Sequence, residues 1–412
     1  MPHLGLGGSQ KQAVHLHRLL QDRGFEPVLV ATDVSSRYEN NLFPSVPLKV
    51  ARRYVTARAL IAGFSMILVE SLRKNRSHWR LKRNPWSTKY SWLKQHLIGR
   101  ADSEQLEILE RLGIGTTLSA LGLRRLFLKL GPSLIISFLP KTNILSIVAA
   151  QGIAPVWVSE RNDPCRQLLD PRVTALRTEL YPIAEKILAN SRHAVADLRE
   201  MFPASNCYWM PNIMDHREPV ARPMVSSRII GYVGRLHSQK RVDHLILGFE
   251  KSALWEGADG FHLQIVGSGP EERTLRDIAN RTSCAEKISF LGLQSFGKTS
   301  LRQMAFCVLP SLHEGHPNVM DESISSGTIP LVSRDIQEMQ FIFSDAEVEE
   351  IGFSETDQLA DKLRSLAKLP PEKFLDLFER VSGSFSRDLT RREERIKLFL
   401  ESVSRRVSRI ES

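Results

Sequence analysis

Short apolar or β-branched runs recur along this chain. Each is closed by Gly, Ser or Asn and followed by a stretch whose apolar positions return every three or four residues. The short runs predict strands at Glu26–Ala31, Ser133–Phe138, Pro155–Val158, Lys186–Ala189 and Cys207–Met210. A second series follows at Arg228–Val233, His262–Val266, Lys287–Leu291, Phe306–Leu309 and Ile329–Val332. Runs with no polar alternation fit strands buried on both faces, and strands alternating with helices give parallel sheets covered on both sides. The pattern therefore predicts an α/β chain with two doubly wound units. The expected boundaries are 1–218 and 219–385, with a join near Asp215–Ser227, a polar stretch carrying Pro219 and Pro223. The rhythm breaks over 51–118, which reads as a mostly helical insertion. An apolar stripe at Leu389, Ile396, Phe399, Leu400, Val403, Val407 and Ile410 predicts a C-terminal helix over 386–412 with one buried face, crossing back to the first unit.

Charge changes this picture at one place. Residues 51–100 hold twelve Lys or Arg and a single acid, Glu70, more than enough to account for the formal net charge of +10. The same window carries Tyr54, Trp79, Trp86, Tyr90 and Trp92. Basic side chains attract anionic headgroups and indoles favour the membrane interface. Residues 51–100 are thus expected to dock on the inner face of a membrane, with a solvated basic surface as the alternative. No nucleic-acid motif accompanies the charge, and no nucleic-acid partner is expected. The longest apolar candidate, Ser119–Leu139, is interrupted by Arg124, Arg125 and Lys129, so no membrane span is expected. No signal peptide is expected from the first residues. Four scattered cysteines, Cys165, Cys207, Cys284 and Cys307, form no CxxC pair or zinc spacing. They suit reduced thiols in a cytoplasmic protein with no structural metal.

Ligands of open α/β sheets bind beyond the carboxyl ends of the strands, so chemistry is sought in the loops that follow them. Gly234, Arg235 and Lys240 follow one predicted strand; the two cations suit a diphosphate, although a solvated basic loop would look the same. Gly267 and Gly269 follow the next strand in a Gly-Ser-Gly-Pro turn that could equally form without a ligand. Glu314, Gly315, His316, Pro317 and Asn318 lead into a helix, with Asn318 expected as its N-cap and Asp321 as its capping-box partner. That helix start suits an anion. Glu322, in its second turn, could accept bonds from vicinal hydroxyls. Two carboxylates at such a spacing also occur as plain surface acids.

Taken together, these segments resemble the GT-B fold retaining glycosyltransferases of family 4. The shared features are Gly-Arg-Leu-x-x-Gln-Lys at Gly234–Lys240, Gly-x-Gly-Pro at Gly267–Pro270, Glu-Gly and a second Glu from Glu314 to Glu322, and Gly-x-x-Pro at Gly327–Pro330. The resemblance runs from about Gly5 to Ile410 and is weakest over 51–118. It implies two Rossmann-like domains facing a cleft, 1–218 on the acceptor side and 219–385 binding the nucleotide sugar. The implied activity is retaining transfer of a sugar from a UDP- or GDP-linked donor to a glycan or lipid-linked acceptor, with no metal or other cofactor. Arg235 and Lys240 would hold the leaving diphosphate, Glu322 the ribose, and Glu314 the donor sugar beside Gly315 and His316. Gly7 and Gly8 match the family's N-terminal Gly-Gly loop. That loop follows a full strand in the family, and this chain starts almost at it, so the first sheet is expected to be incomplete. Asn143, Glu160, Arg161 and Asn162 fall in acceptor-side loops. Many relatives carry a His-Asp pair where Glu160 and Arg161 stand here, so no role of that His carries over. Two other functions fit the same fold, a sugar-nucleotide epimerase and a catalytically inactive sugar-nucleotide-binding protein.

Overall fold

A computed structural model describes residues 8–31, 48–50, 114–214, 219–294 and 300–411. The basic window, the expected helical insertion up to residue 113, and Gly5 to Gly7 lie outside the described residues.

The first half opens with α1 (Gly8–Gln21), β1 (Leu29–Ala31) and β2 (Leu48–Val50), which pair in parallel. Helix α2 (Ile114–Leu130) leads to a four-stranded parallel sheet, β3 (Ile135–Phe138), β4 (Val156–Glu160), β5 (Lys186–Ala189) and β6 (Cys207–Trp209). Helices α3 (Pro140–Ala150), α4 (Pro171–Leu180) and α5 (Arg192–Met201) connect them. A cavity of about 760 Å³ separates the β1 edge from the β3 edge, lined by Leu16, Leu29, Ile135, Phe138 and Val403 among others.

The second half is a six-stranded sheet in the order β12-β11-β10-β7-β8-β9, parallel throughout. Its strands are β7 (Ile229–Val233), β8 (His262–Val266), β9 (Ile288–Gly292), β10 (Phe306–Leu309), β11 (Ile329–Ser333) and β12 (Gly352–Phe353). Helices α6 (Val242–Ser252), α7 (Glu272–Ala279), α8 (Asn318–Ser325), α9 (Asp345–Ile351) and α10 (Thr356–Ala367) cover it. Every side chain of β10 and β11 is buried, which is why both read as unbroken apolar runs in the sequence. The chain thus has the GT-B architecture of two Rossmann-like parallel sheets.

Three elements differ from the sequence reading. β2 and β12 are too short to stand out as apolar runs. The last helix, α11, spans Pro371–Glu411 and starts well before residue 386. Pro at its first turn tolerates the missing N–H, and Phe374, Leu377, Phe378, Val381 and Phe385 extend the apolar stripe into the second-half core. Phe399, Leu400 and Val403 of the same helix pack instead with Ala13, Trp157 and Leu188 of the first half. One helix thereby joins both cores.

Candidate functional site

The order of the second sheet reverses between β7 and β10, its two central neighbours. A doubly wound sheet opens a crevice at such a reversal, outside the carboxyl ends of the strands. The loop after β7 begins at Gly234 and the loop after β10 at Pro310. Both candidate donor loops therefore leave the sheet at one switch point.

Their glycines are there for contact. The loop after β8 lies against the loop after β7 through Gly234 N–H to Val266 O (3.0 Å) and Leu236 N–H to Ser268 O (2.9 Å). A Cβ on Gly267 would stand 1.8 Å from Gly234 O, and one on Gly269 would stand 2.1 Å from Leu236 O. Gly267 also has φ of 142°. Tyr232 fills the space behind Gly234, its hydroxyl donating to Arg235 O at 2.8 Å. The Arg235 side chain is exposed.

Lys240 closes a short turn at Ser238–Lys240, and its ammonium is ion-paired with Glu314 Oε1. Beside this pair, Gln239 Nε2 donates to His313 O at 2.7 Å, and Leu312 N–H donates to Gln239 O at 2.9 Å. Two loops 74 residues apart are thereby fixed to each other. His313 is buried, which holds its imidazole below the ordinary range, and its Nδ1 lies 3.2 Å from Asn162 Oδ1 across the cleft. Gln239 Nε2 is 3.4 Å from the same oxygen. Asn162 thus faces the second-half loops.

Glycine at 315 is also a contact requirement, since a Cβ there would meet Asn190 Oδ1 at 2.2 Å. Asn190 and Asn212 stand at the ends of β5 and β6, and Asn212 Nδ2 donates to His316 O at 3.0 Å. Asn318 is not the N-cap. Pro317 holds that position and caps nothing, and α8 starts at Asn318. The Asn318 side chain instead serves the domain contact: Asn212 Nδ2 donates to its Oδ1 at 2.5 Å, and Gln12 Nε2 does so at 3.2 Å. Its Nδ2 reaches Gly8 O at 3.5 Å. A Cβ on Gly8 would approach that amide to 2.9 Å. Gly8 therefore lies against the start of α8, while Gly7 is outside the described residues. Glu322, one turn in, is paired at 2.5 Å with Lys11 of α1.

Asp321 is not a capping-box partner either. His316 Nε2 lies 2.9 Å from both its oxygens, and Arg392 of α11 donates to it at 2.6 and 3.2 Å. Burial alone would push this carboxyl up, but Arg392 and His316 hold it well below the usual carboxylate range. Being ionised it only accepts, so the facing Nε2 must carry the proton.

In the first half, Asn143 and Glu160 are corrected to interior positions. Neither has exposed surface. Asn143 Nδ2 donates to Ser159 O at 3.1 Å and to the Tyr181 hydroxyl at 2.8 Å; that hydroxyl in turn donates to Glu160 Oε1 at 2.5 Å. Burial raises the Glu160 carboxyl above its ordinary value, against the pull of Tyr181, Arg177 and Gln167. The end of β4 that carries this acid is fully buried among the described residues. Arg161 is also buried, which lowers its guanidinium to about 9, and it donates to Asn212 Oδ1. Asn162 alone of the four points at the opposing unit.

The metal-type ligands that converge among the described residues are Asp163, Cys165 and Asp197. Asp163 Oδ1 already accepts from the Cys165 and Arg166 N–H groups at 2.9 Å. Burial and the two carboxylates push the Cys165 thiol up to about 11, the reverse of what a thiolate ligand needs. His193 closes the set, 3.3 Å from Asp197 and 3.7 Å from Asp163.

Sequence reasoning missed Lys11, Gln12 and Arg392. Their partners lie 311, 306 and 71 positions away, and no local pattern signals such pairing.

Comparison with known proteins places this geometry. Residues 227–368 match the family described as Glycosyl transferases group 1. EpsF of Bacillus subtilis (strain 168), named as a glycosyltransferase, is 32% identical over 122 residues, 29% of this chain and 31% of EpsF. The match thus spans less than a third of that relative. Among solved structures, HepE of Anabaena in complex with UDP and glucose aligns with a TM-score of 0.68 at 12% identity, covering 98% of both chains. The S. aureus protein TarM, crystallised with UDP, aligns with a TM-score of 0.59 at 15% identity over 69% of this chain and 58% of its own. The switch-point loops fall inside the span that matches the glycosyl transferases group 1 model, and the chain has the GT-B fold.

Proposed function

We propose that the chain transfers a sugar, with retention, from a nucleotide-diphosphate sugar to a glycan or lipid-linked acceptor. The observation that carries this reading is the Lys240–Glu314 pair joining the two switch-point loops, with Glu322 on the helix that follows and Asn162 and Gly8 of the first half against Gln239 and Asn318 of the same segments. Lys240 and Arg235 bind the donor diphosphate. Charge builds on its oxygens as the C1–O bond to phosphate breaks, and fixed cations there lower the barrier. Glu322 takes the ribose hydroxyls and Glu314 the donor sugar. The acceptor oxygen attacks C1 on the face the phosphate leaves, and its proton passes to the departing phosphate oxygen. No protein nucleophile and no metal takes part. HepE and TarM, both crystallised with UDP, support the nucleotide end of this reading.

The acceptor is read from the basic, aromatic window at 51–100, which would hold the enzyme on an anionic inner membrane face near a lipid-linked substrate. Among the described residues no helix is long and apolar enough to cross a membrane. The test is incubation with a panel of radiolabelled UDP- and GDP-sugars and a membrane lipid extract. Label moving into lipid or glycan is the expected result. Binding without transfer would leave an inactive binding module. Recovery of an isomerised nucleotide sugar would mean an epimerase.

A further inference from the structure

Behind the donor loop lies a chain of buried charges that this chemistry does not use. Arg392, 2% exposed, grips Asp321 with two nitrogens of its guanidinium. Asp321 in turn holds the His316 ring, and the backbone of His316 directly follows Glu314 and Gly315. On its other side Arg392 Nε lies 2.8 Å from Asp388, an ion pair bent away from hydrogen-bond alignment. Asp388 is 2.8 Å from Arg192 of α5, and Arg192 pairs at 3.0 Å with Glu338. Glu338 also accepts from the backbone N–H groups of Arg192 (2.7 Å) and His193 (3.3 Å). The chain of charges therefore starts at the donor loop, passes through α11 and reaches the first half.

Stability does not explain such a set. Desolvating paired charges costs about as much as the pairing returns, and apolar residues of similar volume are often as stable. What a two-nitrogen grip does supply is direction, because the fork fixes the carboxylate plane. Here that plane fixes the His316 ring, and Asn212 fixes the same residue's carbonyl. His316 is held at both ends, and with it the backbone at Gly315.

We propose that Arg392 is a positioning residue: through Asp321 and His316 it sets the loop that receives the donor sugar, as distinct from the nucleotide. The inference rests on the donor-site reading above. It assigns to α11 a share in choosing a nucleotide sugar over the free nucleotide.

Isothermal titration against UDP, GDP and a panel of their sugar conjugates tests it. The readout is the affinity ratio of the best-bound conjugate to its own free nucleotide, taken beside the melting temperature. Arg392→Gln is expected to lower that ratio about tenfold while free-nucleotide affinity stays within about threefold. Arg392→Lys keeps the charge without the fork and should recover part of the ratio. Asp388→Asn weakens the link to Arg192 and leaves the Asp321 grip, so it should lower the melting temperature and leave the ratio alone. Should Arg392→Gln not fold, Asp321→Asn interrupts the same link from the other side and should lower the ratio likewise. A wild-type ratio in the folded Arg392 or Asp321 variant overturns the proposal, as does a parallel loss of conjugate and nucleotide affinity, which marks a mere tether. Wild-type protein that binds none of the panel overturns the donor reading itself, a separate and recognisable result.

Discussion

Lys11 Nζ lies 2.5 Å from Glu322 Oε1, so the first helix of the chain is tied to the helix that opens the proposed donor site. The lysine side chain is 44% exposed, and a pair this wet contributes little to stability. It does occupy the carboxylate that the ribose would need. Lys11→Met is expected to leave the melting temperature within about 2 °C and to tighten UDP binding by a factor of about 1.4 to 5, the equivalent of the roughly 0.2–1 kcal/mol typical of exposed pairs. Weaker UDP binding would mean that Lys11 itself contacts the nucleotide.

Lys240 is paired with Glu314 between the loops that follow β7 and β10. Lys240→Ala should reduce turnover by about 10² to 10³, the usual loss of one preorganised charge contact. Its side chain is partly exposed, so the melting temperature should move little. Unchanged turnover would remove Lys240 from the phosphate role.

The two cations also bear on metal dependence. In the proposed site Arg235 and Lys240 balance the charge of the donor diphosphate without a divalent ion. Transfer is therefore expected to proceed at an unchanged rate after dialysis against EDTA. Loss of activity restored by Mg²⁺ or Mn²⁺ would require the diphosphate to be held through a cation.

The glycines give a structural test. A methyl at 267 must displace the Gly234 carbonyl, and the φ of 142° is one that side chains avoid. Gly267→Ala should cost at least about 1–3 kcal/mol, the usual scale for a residue forced into such backbone. Chemical denaturation measures it directly. Gly24→Ala is the comparison, since nothing stands within 4 Å of a Cβ there and only the φ penalty remains.

Much of the second half was legible because its strands are buried on both faces. Runs such as Phe306–Leu309 and Ile329–Ser333 carry no polar position to blur them. The donor loops were legible because their Gly, Arg, Lys and Glu keep a fixed spacing near strand ends. What the sequence hid was whatever depends on distant partners. Asn318 looked like a cap and Asp321 like its mate, since a local rule fits them. Arg392 and Asn212 outbid that rule from 71 and 106 positions away. Glu160 reads as acceptor-side because it follows the predicted strand Pro155–Val158 in a segment the family resemblance puts at the cleft. Whether a strand-end side chain points to the cleft or the interior is decided by neighbours such as Tyr181, 21 residues on.

Asp321 and Glu160 are both buried carboxyls, and their shifts have opposite sign, so stability should depend on pH in two separable ways. Arg392 and His316 hold Asp321 below the unfolded value of about 3.9. Its contribution is present above that value and is lost as pH falls through the folded value. Asp321→Asn should therefore destabilise most near neutrality, and the difference from wild type should shrink with acid. Burial raises Glu160 above its unfolded value of about 4.3. Its neutral form is favoured in the fold, so the stability it lends is complete below that value and lost as pH rises through the folded one. Glu160→Gln keeps a carbonyl to accept from Tyr181 and cannot ionise. Its melting temperature relative to wild type should therefore rise between pH 4 and the folded pKa of Glu160, then level off. Melting curves taken at half-unit steps for both variants check the pair. A Glu160→Gln difference independent of pH would mean that Arg177, 3.9 Å away, and the hydrogen bonds offset the burial in full.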